Sequence, residues 1–211
     1  MKKILSVKLL IILVFSIFAN VSFSDTLKKD VNIERIQAKM READYLDRDL
    51  RKDKKMYIKG DSTPFTGTLV LKLGDYVEYT EPYEKGILSG DKTWYDSQGN
   101  IMMIETYVDG KINGEQITYY PNAKVRSIVY HKNNRITGIE WYNQDGKKIY
   151  KDIFQNGNGS WRSYFDRGNV HEEGEYVNFS RHGIWRIYNE KGQLTETRTY
   201  RNGAIVGRSW N

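Results

Sequence analysis

The chain has 211 residues, 28% of them charged and 13% aromatic, with 16 Tyr and no Cys. Disulfides, thiol catalysis and Cys-ligated zinc are excluded, and so is a disordered chain, which would have few aromatics and low hydrophobicity. The formal charge is +6, from 33 basic and 27 acidic residues.

Residues 1–24 carry the pattern of a secretory signal peptide. Lys2, Lys3 and Lys8 precede the apolar run Leu9–Phe18, and Ser22 and Ser24 suit a cut before Asp25. The run is short for a membrane span; the alternative is an uncleaved anchor. Without this segment the balance is 30 basic against 27 acidic residues. That is no nucleic-acid footprint, and the chain is expected to be exported to the periplasm, the outer membrane or the medium.

Residues 25–56 contain neither Gly nor Trp. Ile33, Ile36, Met40, Ala43, Leu46 and Leu50 recur at spacings of three and four, which predicts an amphipathic helix with Asp30 as its N-cap. Its expected role is to cap the rest of the chain and cover an open sheet edge.

A repeat occupies 57–211. Gly67, Gly90, Gly114, Gly138, Gly159, Gly183 and Gly207 open successive copies, at intervals of 23, 24, 24, 21, 24 and 24 residues. Six copies are full; 57–66 and 207–211 read as partial ones. Within the copies Tyr95, Tyr119, Tyr164 and Tyr188 fall five residues after the opening Gly, with Tyr142 one place early. Gly99, Gly146, Gly168 and Gly192 mark a middle turn, and Ala123 takes that place in the copy from Gly114. An aromatic closes each second strand: Tyr83, Tyr107, Tyr130, Phe154, Tyr176 or Tyr200. A tight turn follows at Lys85-Gly86, Asp109-Gly110, Asn133-Asn134, Asn156-Gly157 and Asn202-Gly203. Asn-Gly and Asp-Gly between apolar strands are strong hairpin signals, because both central residues need positive φ. The copy from Gly159 departs, with Phe179-Ser180 read at its turn. The unit is a β-hairpin, and a period of this size means units that stack on their neighbours. The expected fold is all-β: tandem hairpins forming one elongated, twisted antiparallel sheet.

Gly183, Trp185, Tyr188, Gly192, Tyr200, Asn202-Gly203 and Gly207 together resemble the variant MORN repeat, the divergent bacterial form of the membrane occupation and recognition nexus repeat. Pro64-Phe65-Thr66-Gly67 is similar to the sequence that leads into the array in bacterial members, many of them named YwqK-type antitoxins. The resemblance covers about 57–211. It implies stacked β-hairpins and a role in binding, scaffolding or membrane association. The second small residue of the plain MORN pattern is missing, replaced by Lys92, Gln116, Glu140, Trp161 or Trp185.

No constellation for chemistry is visible. The three His, at 131, 171 and 182, have no second His or Cys at metal spacing; only His171 and Glu173 share a strand face, too few for zinc. Gly157-Asn158-Gly159-Ser160 lacks the Lys and the helix of a phosphate loop. Glu78, Glu105, Glu173 and Glu196 suggest an exposed carboxylate ladder of like environments, unsuited to paired acid–base work. The expectation is a non-enzymatic chain without cofactor or metal, binding an unidentified protein partner at the cell envelope. Its candidate interaction face is Trp94, Tyr119, Trp141, Trp161, Tyr164, Trp185 and Tyr188. The alternatives are a glycan- or lipid-binding module using these aromatics, or an antitoxin-type protein as the family name suggests.

Overall fold

The computed structural model describes residues 41–211. The signal-like segment 1–24 and the 25–40 part of the expected helix lie outside the described residues. From residue 41 to 56 the chain is not helical. β1 (Glu42–Asp44) leads into a 3-10 turn at Tyr45–Asp47, then β2 (Arg48–Leu50) and β3 (Met56–Ile58). Two local effects override the helical spacing. β1 pairs in parallel with β4 (Gly67–Leu73), in register Glu42↔Thr68 to Asp44↔Val70, so it gains a backbone ladder on a strand edge. Asp44 Oδ1 accepts the Leu46 N–H at 2.8 Å and holds the turn. The edge of β4 is thus covered by a strand, while Leu46 and Leu50 of the stripe are exposed.

From β4 the chain is a meander. β5 (Tyr76–Glu84), β6 (Ile87–Leu88), β7 (Gly90–Tyr95), β8 (Ile101–Val108), β9 (Lys111–Tyr119), β10 (Val125–Lys132), β11 (Arg135–Tyr142) and β12 (Lys148–Ile153) follow in sequence. With β1 and β4 they make a ten-stranded sheet, in which consecutive strands are neighbours from β4 onwards and β6 pairs with β5. β13 (Gly159–Tyr164), β14 (Val170–Val177), β15 (Ser180–Tyr188), β16 (Leu194–Arg201) and β17 (Ala204–Trp210) form a second, five-stranded meander. β2 and β3 pair only with each other.

Two kinds of turn alternate. Inside a unit the turn has a fixed hydrogen-bond pattern: Asp96 N–H donates to the Asn100 carbonyl and Gly99 N–H to the Asp96 carbonyl, as do Asn189, Gln193 and Gly192. The side chains of Asp96, Asn143 and Asn189 accept amides two and four residues on. These are Asx turns closed by a left-handed residue. Between units lie two-residue turns with both residues at positive φ. The last irregular copy obeys this rule too: its turn is Asn178-Phe179, at φ 51° and 64°, not Phe179-Ser180. Phe179 is bulky for that region. Its ring lies against Gly157, Arg135 stacks on it at 5.3 Å, and its N–H donates to the Gly157 carbonyl at 2.8 Å. The inter-unit turns also bond to one another. Gly110, Asn134 and Gly203 donate to the carbonyls of Leu88, Ile112 and Arg181, each two residues past the preceding turn.

The expected single sheet divides after β12. Most inter-unit turns are followed by four residues to the next opening Gly, but Gly157 by only two. Phe154 lies where a Gly159 Cβ would stand, within 2.2 Å. β13 therefore crosses over the Phe154 ring and leaves the plane of β12.

Three apolar clusters are spaced along the array. Met56, Ile58, Phe65 and Leu69 form one. Val129, Ile139, Trp141 and Tyr164 form a second, and Phe154, Tyr176, Trp185 and Tyr200 a third. Trp185 is fully buried, edge-on to Tyr176 and Tyr200 at 5.5 and 5.7 Å, with its indole N–H donating to the Glu175 carbonyl. Trp185→Ala is expected to cost about 3–5 kcal/mol, measured by denaturant unfolding. Ala123 sits at φ 61°, where its sister turns have Gly. The left-handed region costs ~1–2 kcal/mol for a non-Gly residue and added Gly entropy ~0.5–1 kcal/mol. Ala123→Gly is expected to raise the melting temperature by about 1–4 °C; an unchanged or lower value contradicts this.

Candidate interaction surface

Strand alternation brings polar groups together as well as aromatics. In several strands a Glu is followed two residues later by a Tyr on the same face, and the pair is tied together. Tyr83 Oη donates to Glu81 at 3.2 Å, Tyr107 Oη to Glu105 at 2.9 Å, and Tyr142 Oη to Glu140. A neighbouring strand supplies further donors. Lys92 pairs with Glu81 at 2.5 Å, and Gln116 Nε2 donates to Glu105 at 2.8 Å. Glu140 takes both Lys148 and Lys151, at 2.6 and 2.7 Å. In the second sheet Arg181 grips Glu172 with both terminal nitrogens while stacking on Trp185 at 4.0 Å. Arg162 and Tyr188 Oη both donate to Glu173. Arg198 and Arg208 face Glu196.

The carboxylates therefore do not form the exposed ladder expected from their spacing. Of the four, Glu105 and Glu196 are buried and Glu78 and Glu173 half-buried; Glu81 and Glu140, outside the expected set, are buried as well. Glu81, Glu105, Glu140, Glu173 and Glu196 are each satisfied by donors of their own or an adjacent strand. Burial alone would raise the Glu140 carboxyl, but hydrogen bonds from Lys148, Lys151 and Tyr142 outweigh it and bring it down to about 2. The Arg198 hydrogen bond likewise holds Glu196 below the usual carboxylate range. Burial, and then the Glu105 hydrogen bond, push the Tyr107 hydroxyl up.

The seven expected interface aromatics are not on one face. Trp141, Tyr164 and Trp185 are buried and belong to the cores, because β13 folding over β11 and β12 brings Tyr164 onto Trp141 at 5.9 Å. Trp94, Tyr119, Trp161 and Tyr188 are half-buried. Trp94 stands on the face of Lys92, whose Nζ lies 4.6 Å from its ring. Tyr188 points to the face of Glu173 and Arg186, opposite Trp185. Among the described residues no group of three or more His, Cys, Asp and Glu is placed to hold a metal. His171 rests edge-on against Phe165 at 4.6 Å. Burial pushes His131 below the usual imidazole range, against the opposing effect of the Val129 carbonyl.

What is left for contact is broad and polar. A shallow groove of about 460 Å³ is lined by Trp161, Arg162, Glu173, Glu175 and Arg186 of the second sheet and by Tyr150 of β12. Between residues 90 and 119 no hydrophobic side chain is fully buried, and Thr93 and Glu105 are the buried groups. That middle stretch is held by polar pairing rather than by a core.

The Glu140 network sets a pH dependence. A carboxyl depressed from 4.5 to about 2 stabilises the fold above its unfolded pKa and loses that contribution as pH falls through the folded value. The stability difference between the wild-type chain and Glu140→Gln is expected to be constant near neutrality and to shrink between about pH 4.5 and 2. A difference independent of pH across that window contradicts the ion-pair account; unfolding curves at several pH values decide it.

Residues 112–133, 158–178 and 181–202 match the family model of the MORN repeat variant. Each matched segment coincides with one intra-unit hairpin, β9–β10, β13–β14 or β15–β16. Among curated proteins none matches the chain. Those three hairpins are MORN-variant repeats.

Proposed function

We propose that the chain is an exported, non-enzymatic scaffold that binds another protein at the cell envelope. The observation that carries this is the way the repeat spends its chemistry. The recurring Glu, Arg and Tyr pairs described above engage one another within a strand, within a hairpin or across to the next one, so these residues build an array, and among the described residues they leave no convergent reacting groups. An array of this kind offers a long surface with regularly spaced turns and strands, the form in which repeat proteins bind partners. Export rests on the basic and apolar pattern of residues 1–24.

The expected outcome of crosslinking in intact cells is recovery of the chain with a protein partner in the envelope fraction. The same crosslink should be lost for Trp185→Ala, whose array is destabilised. A chain found only in the cytoplasm sinks the export reading. Envelope crosslinking that yields the chain alone sinks the scaffold reading.

A further inference from the structure

The hairpin that joins the two sheets is unlike its sisters. β8 and β9 pair from Val108↔Lys111 to Met103↔Thr118, and β14 and β15 from Val177↔Ser180 to Glu172↔Ile187. Between β12 and β13 a single pair forms, Gln155↔Asn158. Phe154 N–H donates inward to the Thr137 carbonyl on the β11 side, and Gln155 N–H donates outward to the Asn158 carbonyl, both at 2.8 Å. Backbone groups of an antiparallel strand alternate between its two sides. Lys151 and Ile153 therefore turn their N–H and C=O groups away from β11. The next outward rung would join Ile153 to Ser160. Instead the Ser160 N–H donates to Asp152 Oδ2 at 2.8 Å, and β13 climbs over Phe154.

The result is an open strand edge in the interior of the array. Its side chains are accessible: Ile149 is 37% and Ile153 41% exposed, and the Lys151 side chain is 51% exposed. These three alternate with Tyr150 and Asp152, which turn to the other face. The exposed side is thus apolar, basic, apolar. Lys148 and Lys151 both lie there and share one carboxylate, Glu140, so one positive charge on that side is left over. Asp152 faces the other way and is engaged by Ser160, and Lys147 and Asp145 offset each other in the adjoining turn.

We propose that the edge of β12 docks an extended segment of a partner protein that carries an apolar, an acidic and an apolar residue at every second position, matching Ile149, Lys151 and Ile153 on one face. The outward N–H groups of Lys151 and Ile153 and the Lys151 C=O lack a backbone partner, and the Ile153 C=O is met only by Gln155 Nε2 at 3.3 Å; this row calls for a β-strand, which offers donors and acceptors at that spacing. Ile149 and Ile153 select apolar residues, and the Lys148–Lys151 pair selects carboxylates. This rests on the reading of the chain as a protein-binding scaffold and gives it a site and a partner chemistry.

Amide hydrogen exchange on the full chain tests it. In the free protein the Lys151 and Ile153 amides are expected to exchange much faster than those of Asp152 and Phe154; slow exchange at all four means the edge is closed and overturns the site. The probe is a synthetic peptide of about six residues, a usual strand length, with valine, glutamate and valine at every second position and threonine between them. It should protect Lys151 and Ile153, and the same peptide with lysine in place of the glutamate should bind at least about tenfold more weakly. Ile153→Pro removes an outward N–H outside the β11 ladder, a change edge strands tolerate. It should leave the melting temperature near the wild-type value and weaken the acidic peptide about tenfold or more. Ile149→Glu, at an exposed position, should do the same by repulsion and serves if the proline variant fails to fold. Equal binding of both peptides, no saturable binding, or binding that survives both substitutions overturns the site. Envelope crosslinks to a partner that persist in both variants would remove this site while leaving the scaffold reading in place.

Discussion

A sheet without a covering layer has to find its apolar contacts within itself, and that constraint shapes the whole array. Aromatic rings solve it because they reach beyond their own strand. Tyr176 touches Phe154, Trp161 and Trp185, and Trp185 reaches Tyr200. Each ring removes about 150–250 Å² from water, and the contacts of Tyr176 with Phe154 and with Trp185 span hairpin boundaries. The units depend on one another under this arrangement, since Trp185, the largest side chain of its hairpin, is buried against Tyr176 of the preceding unit as well as against Tyr200 of its own. Gly174 makes the same point from the other side: the Trp185 ring occupies the space of a Gly174 Cβ, so a small residue in one hairpin is the socket for a large one in its neighbour.

Where rings are sparse, ion pairs and amides take over. In the middle of the array Lys92 sits between the rings of Tyr79 and Trp94 and pairs with Glu81. Glu105 is held by Tyr107 and Gln116. Buried carboxylates of this kind contribute little net stability when paired but are costly to leave unpaired. Their effect is to penalise any slip in register, which in a sheet of similar hairpins is the main competing error. The stacked inter-unit turns act in the same direction, because each turn donates to a carbonyl of the one before.

The short copy shows what happens when the repeat is edited. With fewer residues after the Asn156-Gly157 turn, β13 cannot continue the ladder in plane, and Phe154 lifts it onto the face of the preceding strands. The loss of backbone rungs there is offset by the packing of Tyr164 on Trp141 and Tyr150. One deletion thus produces a buried aromatic cluster and an open strand edge together.

Much of this was legible in the residues. The spacing of the opening glycines, the Asn-Gly and Asp-Gly turns and the recurring aromatics determine hairpins, their order and their all-β class, because turns and strand alternation are local properties. The path after Gly157 and the burial of Glu81, Glu105, Glu140 and Glu196 were not legible, since both depend on which strand lies beside which. The residues from 41 to 56 show the limit most clearly. Their helical spacing is real, yet β1 is a strand, because the free edge of β4 offers hydrogen bonds that a local pattern cannot foresee. Likewise Trp185 and Tyr188 look alike in the sequence as members of one aromatic row. Only the tertiary structure decides that Trp185 is core and Tyr188 a carboxylate's donor, because it is the neighbouring strands that put Tyr176 and Tyr200 on the face of Trp185 and Glu173 on the face of Tyr188.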